Sequence, residues 1–117
     1  MSKSLLTGHG EHALSETLKA LSDPSRRTQL MRLAAGPATS GQLAELLTMS
    51  RPAGSQHLAV LVDAGLVDTT PTGRQRWHRI NPDHLYALHD WLSELISVVD
   101  AAATAQVAAA DPPSPLR

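Results

Sequence analysis

A chain of 117 residues and 12.5 kDa can build one domain around one hydrophobic core, and is too short to join an enzyme to a regulatory unit. With no cysteine it has no disulfide, thiolate metal ligand or thiol switch; no apolar run nears the ~18 residues of a membrane span and Met1 to Gly10 holds no secretory apolar region, which points to the cytosol. The net charge of -1 hides a division: residues 1–80 carry nine Lys and Arg against six Asp and Glu, and residues 81–117 carry one Arg against five acids, so the basic surface is local.

Leu14, Leu18 and Leu21 recur at helical spacing and predict a first helix. Asp23-Pro24 reads as a cap followed by a proline in the first turn of a second helix, which runs through Leu30, Leu33 and Ala34 and closes at Gly36-Pro37. Thr39 and Gln42 have capping-box spacing and open a third helix carrying Leu43, Leu46 and Leu47. Ser50 caps a fourth helix, which Gly65 ends. Leu66 to Thr70 and Gln75 to Ile80, bounded by Pro71 and Gly73, predict an antiparallel hairpin. In its second strand Arg76, His78 and Ile80 share a face, and Ile80 marks that face as the buried one.

Asn81-Pro82 restarts helix, and Leu85, Leu88, Leu92, Leu95 and Val99 form a three-four stripe that continues into AAATAQVAAA. Without Phe, the core is expected to consist of Leu, Val and Ala. The expected fold is mainly α with a small β-hairpin: a winged helix-turn-helix of four helices, two strands and a fifth helix, paired as a dimer. The domain is expected over residues 11–107, with tails at 1–10 and 108–117.

A helix that reads a DNA groove presents short polar or guanidinium groups outward and packs its inner face on the preceding helix. In the fourth helix Leu58, Leu61 and Val62 form the inner side, which leaves Arg51, Ser55 and Gln56 outward with His57 at the edge. Gln56 suits an adenine, Arg51 a guanine or a phosphate, and Ser55 a phosphate. In the wing, PTGRQRWHRI holds three arginines and no acid. Arg74 beside the Gly73 turn is placed for a phosphate or the minor groove, with Arg76 and Arg79 secondary and Trp77 expected to pack on a neighbouring helix. Ser55, His57 and Asp63 lie along one helix without a pocket, so they make no catalytic triad and no enzyme is expected. The expected function is sequence-specific binding of an operator in double-stranded DNA; the alternative is a winged helix that binds another protein.

LSDPSRR in the second helix, SRPAGSQHLAVLVDAGLV in the recognition unit, GR at the wing and INP before the last helix resemble the arsenic-repressor (ArsR/SmtB) family of bacterial winged-helix regulators, over residues 18 to about 95. The resemblance implies a homodimer, joined by the first and last helices, that represses from a palindromic promoter site until an inducer weakens binding. Leu14, Leu18, Leu85, Leu88, Leu92, Leu95 and Val99 are the candidate dimer contacts, and burial of the stripe against the protomer's own core is the competing reading.

Two positions depart from the family pattern. Gly54 stands where a branched apolar residue is usual, which predicts a looser recognition helix at ~1 kcal/mol relative to alanine. The family's metal-sensing motifs are also absent: no cysteine pair occurs in the third helix, and Asp83, His84 and His89 have the wrong spacing in the last. His9, Glu11 and His12, with His84 or His89 of either protomer, remain a nitrogen and oxygen set suited to nickel or zinc. The alternatives are solvated histidines and a regulator without a metal response.

Overall fold

The computed structural model describes residues 9–47 and 50–109. The order is α1 (His9–Leu21), α2 (Pro24–Ala34), β1 (Ala38–Thr39), α3 (Ser40–Leu46), α4 (Arg51–Asp63), β2 (Val67–Thr72), β3 (Gln75–Ile80) and α5 (Asp83–Ala109). The five helices and the hairpin match the expectation from periodicity. The boundaries of three elements differ: α1 begins at His9, inside the expected tail, β2 spans Val67–Thr72 and takes in Pro71, the residue expected to bound it, and α5 runs to Ala109, beyond residue 107. The rest of both tails lies outside the described residues. β1 is an addition, a two-residue strand that only its partners define, with Ala38 opposite His78 and Thr39 opposite Trp77.

Side-chain caps fix the helix starts. The Asp23 carboxylate accepts the Arg26 N–H at 3.1 Å, and Pro24 occupies the first turn, where no backbone donor is needed. Thr39 and Gln42 close a full capping box: Thr39 Oγ1 accepts the Gln42 N–H at 3.2 Å and Gln42 Oε1 accepts the Thr39 N–H at 2.9 Å. Ser50 Oγ accepts the Ala53 N–H at 3.3 Å. At the other end of α4, Leu66 N–H bonds the Leu61 carbonyl and Gly65 N–H bonds that of Val62, both at 3.0 Å. This Schellman pattern needs a left-handed residue, and Gly65 has φ +78°.

The paired arginines of LSDPSRR have a structural task. Arg26 Nε donates to the Ala20 carbonyl at 2.7 Å and its Nη2 to that of Lys19 at 3.1 Å, while Arg27 Nη1 donates to that of Leu21 at 2.8 Å. Two cations thus satisfy the open carbonyls at the negative end of α1 and fold α2 back against it.

The sheet order is β1-β3-β2, so β3 is central and β2 is an edge strand that tolerates Pro71. A two-residue turn whose first residue, Gly73, has φ +61° joins β2 to β3. The core comprises Ala20, Leu30, Leu33, Ala38, Leu43, Leu58, Leu61, Ala64, Leu66 and Val67, with Leu21, Ile80 and Leu85 packed against it. It is aliphatic throughout, as a chain without Phe requires.

α1 lies against α5. At 1.5 Å per residue, the 27 residues of α5 reach about 40 Å. The helix therefore runs well past the core and stretches the molecule to 71 × 33 × 21 Å. The radius of gyration is 20.1 Å, against roughly 13 Å for a compact domain of this length. No described helix is long and apolar enough to cross a membrane.

Candidate nucleic-acid interface

The inner face of α4 is made by Gly54, Leu58 and Leu61, all buried. Val62, expected among them, instead sits at the margin, 36% exposed and facing the cleft beside the wing. Arg51, Ser55 and Gln56 are exposed, as the helical spacing predicts.

His57 departs from the outward set. Its Nδ1 lies 3.7 Å from Asp23 Oδ2 and 3.3 Å from Arg26 Nη1, so the ring faces the junction of α1 and α2 and is half-buried there. It tethers the recognition helix to the cap of α2, which removes it from the candidate DNA contacts in the free chain. The same cluster sets the Asp23 carboxyl. Desolvation raises it, but the Arg26 N–H, the His57 imidazole, the Ser25 N–H and the Arg26 guanidinium together hold it below the ordinary 3.8.

Arginines that are distant in sequence meet at one groove. Arg51 from the start of α4 and Arg74 and Arg76 from the wing line a depression of about 350 Å³ with Thr39, Ser40, Gly41 and Gln75. The groove concentrates positive charge beside the outer face of α4, although the whole chain has a net charge of -1. Arg79 is exposed on the other face of β3, with Trp77. Trp77 is half-buried between its register partners Thr39 and Thr70.

Two buried polar residues beneath this surface were not singled out by sequence reasoning. His78 is 3% exposed; its Nε2 lies 2.7 Å from Ser40 Oγ and its Nδ1 2.9 Å from Thr69 Oγ1. Burial, helped by the positive charge of Arg76, pushes its pKa below the usual 6.5. The alternation that puts Ile80 inward also puts His78 inward, so the signal was present. Gln29, 1% exposed on α2, reaches α4. No periodicity marks it, because a glutamine inside an amphipathic helix normally reads as solvated.

Among the described residues the candidate metal ligands do not converge within a protomer. His12 and His89 are exposed, His89 lies 3.6 Å from the Asp90 carboxylate, and the side chain of His9 is outside the described residues. His84 packs against Gly65, so closely that a Cβ there would stand 2.7 Å from its Cδ2. Among the described residues no three His, Asp or Glu side chains come together to hold a metal ion.

The stripe expected at a dimer contact divides in two. Leu85 packs on the protomer's own core, and Leu14 and Leu88 are half-buried, whereas Leu18, Leu92, Leu95 and Val99 are exposed. Burial within the protomer thus accounts for the beginning of the stripe but not for its continuation.

A helix pair, a following two-stranded wing and a shared arginine groove define a winged helix-turn-helix protein. A family model described as bacterial regulatory protein, arsR family, matches residues 23–69. The chain is 39% identical over 101 residues to the HTH-type transcriptional regulator CmtR of Mycobacterium bovis, which covers 86% of this chain and 83% of that one. It is 49% identical over 70 residues to the HTH-type transcriptional regulator Rv2034 of Mycobacterium tuberculosis; this match takes in 60% of the chain and 65% of that protein, just under two thirds. A solved ArsR-like transcriptional regulator from Rhodococcus sp. RHA1 superposes with a TM-score of 0.78 at 27% identity, over 89% of this chain and 98% of the other. The chain belongs to the arsR family of bacterial regulatory proteins: it is a transcriptional regulator and not an enzyme.

Proposed function

We propose that the chain is a homodimeric repressor that lays α4 in the major groove of a palindromic promoter site and sets its wing on the flanking backbone. The observation that carries this reading is the groove shared by Arg51, Arg74 and Arg76, which joins the start of α4 to the wing tip. Arg51, Arg74, Arg76 and Ser55 take phosphates, and Gln56 reads a base edge. Gel-shift titration with the DNA upstream of its own gene tests it. Binding should fall steeply as salt rises, because each neutralised phosphate releases counterion. No shift at low salt would sink this reading and leave the protein-binding winged helix in its place.

The second copy is needed to cover α5. Leu92, Leu95, Ile96, Val98 and Val99 are exposed on a helix that leaves its own core, and Leu18 of α1 is 46% exposed. Pairing these faces holds two recognition helices apart at a fixed spacing, as a palindrome demands. Sedimentation of wild type and Leu95→Glu should separate dimer from monomer. A nickel or zinc response would draw on His9, Glu11 and His12 with His84 or His89 of either protomer, and calorimetry with each metal on the dimer tests for it.

A further inference from the structure

Three elements meet on the ring of His78. It stands on the central strand β3, accepts or donates at Nε2 with the first residue of α3, Ser40, and at Nδ1 with Thr69 of the edge strand β2. A neutral imidazole offers one donor and one acceptor, and a hydroxyl can serve as either, so both bonds are satisfied in either tautomer. Beyond this point the hairpin is unsupported: residues 70–76 are all exposed, and β1 backs β3 only at His78 and Trp77. A two-stranded ribbon standing alone is marginally stable in water. Among the described residues the bonds of His78 are therefore the last side-chain hydrogen bonds before the wing tip that carries Arg74 and Arg76.

We propose that His78 is a positioning residue for DNA binding, which locks the wing to the start of α3 so that Arg74 and Arg76 are held beside the groove entered by α4. This rests on the DNA-binding reading above. The side chain touches no DNA itself; it removes freedom from the wing before binding, so less order has to be created when the phosphates are met. The charged groups around the ring are Arg76 on its own strand and Asp63 of α4, which lines the same cleft of about 280 Å³ with Ser40, Ser55 and Thr69.

A double-mutant cycle separates this role from general support of the fold. His78→Phe fills the site without bonding, and Thr69→Val removes one partner with almost no change in volume. Affinity is read by anisotropy on a labelled duplex of the upstream DNA, with and without the paired change Arg74→Ala and Arg76→Ala. Loss of one such bond should weaken binding about fivefold when both arginines are present and less than about twofold once both are gone, since an absent contact cannot be misplaced. Equal loss in both backgrounds, or no loss, overturns the proposal.

Hydrogen exchange without DNA supplies an independent arm. The amides of residues 70–77 should exchange faster in both variants while those of α1 and α5 stay unchanged, and unchanged wing exchange overturns the proposal. If the wild type binds no duplex at low salt, the DNA-binding reading fails, and the exchange comparison alone decides whether His78 holds the wing.

Discussion

Gln29 reaches from α2 across to α4 and donates its side-chain amide to the main-chain carbonyl of Gly54, 3.2 Å away inside the recognition helix. The absence of a side chain at Gly54 reads in the sequence as lost packing. In the fold this buried glycine is the point where an amide from the supporting helix meets the backbone of the reading helix. The bond ties α2 to the recognition helix α4 at a buried position that no solvent competes for.

The energetic consequence is specific, because Gln29 Oε1 is buried with no partner. Gln29→Leu removes one hydrogen bond and one unsatisfied acceptor together, and the Gly54 carbonyl keeps its place in the helix ladder; stability should change by less than about 1 kcal/mol. Gln29→Ala leaves a cavity as well and should cost about 2–3 kcal/mol. Urea unfolding of the two variants checks the contrast, and equal losses would mean that the amide matters more than the volume.

The caps of α1 give a second contrast. Arg26 makes two bonds to the last carbonyls of α1 from a part-buried position, and Arg27 makes one from an exposed position. Arg26→Ala should destabilise by about 2 kcal/mol and Arg27→Ala by less than about 1 kcal/mol. Thermal melts read the difference. If the two arginines served DNA instead, both variants would melt like the wild type and bind DNA weakly.

The helix caps, unlike those arginines, were legible in the sequence. Five helices, the hairpin, the N-caps of α2, α3 and α4 and the glycine stop at Gly65 follow from local chemistry, because caps and turns are decided within a few residues. The outward set of Arg51, Ser55 and Gln56 follows from the period of the helix alone. The settings of His57 and Gln29 and the bond of His78 to Ser40 depend instead on partners 31, 25 and 38 residues away. No local pattern fixes which distant group meets them. β1 escaped for the same reason, since two residues carry no alternation and exist as a strand only through β3.

Gly65 and Gly73 share a left-handed backbone but not a neighbourhood. Around Gly73 there is open space, so Gly73→Ala carries only the backbone strain, about 1 kcal/mol. At Gly65 a Cβ would also meet His84 Cδ2 at 2.7 Å and Nε2 at 2.9 Å, and Gly65→Ala should cost about 2 kcal/mol or more. Adding His84→Ala should recover the steric part and leave the strain. If the double variant is no more stable than Gly65→Ala alone, His84 is not the obstacle.

Stability should depend on pH in two windows. The pKa of His78 is lower in the folded chain than its ordinary 6.5, so below that value the unfolded chain binds the extra proton and stability falls with falling pH. Asp23 is held below its ordinary 3.8, so its contribution is present above that value and is lost as acid protonates it. A plateau near neutrality should therefore give way first below about pH 6.5 and again below about pH 4. In His78→Phe the first decline should shrink relative to the wild type, as read by urea midpoints at each pH. An undiminished first decline in that variant would assign it to another histidine.

Arg74 and Gln56 should fail differently. Arg74 is exposed beside the Gly73 turn and shares its groove with Arg51, a setting for a phosphate, which has no sequence identity. Arg74→Ala should weaken every duplex by a similar factor and reduce the slope of log affinity against log salt by about 0.9. Gln56 is exposed on the outer face of α4, where an amide can pair with both N6 and N7 on the major-groove edge of an adenine. Gln56→Ala should leave the salt slope alone and erase discrimination at one base step, worth about 1–3 kcal/mol. Competition with duplexes changed one base pair at a time distinguishes the two. A uniform loss for Gln56→Ala across the whole set would take Gln56 out of base reading and leave specificity to the shape of the DNA.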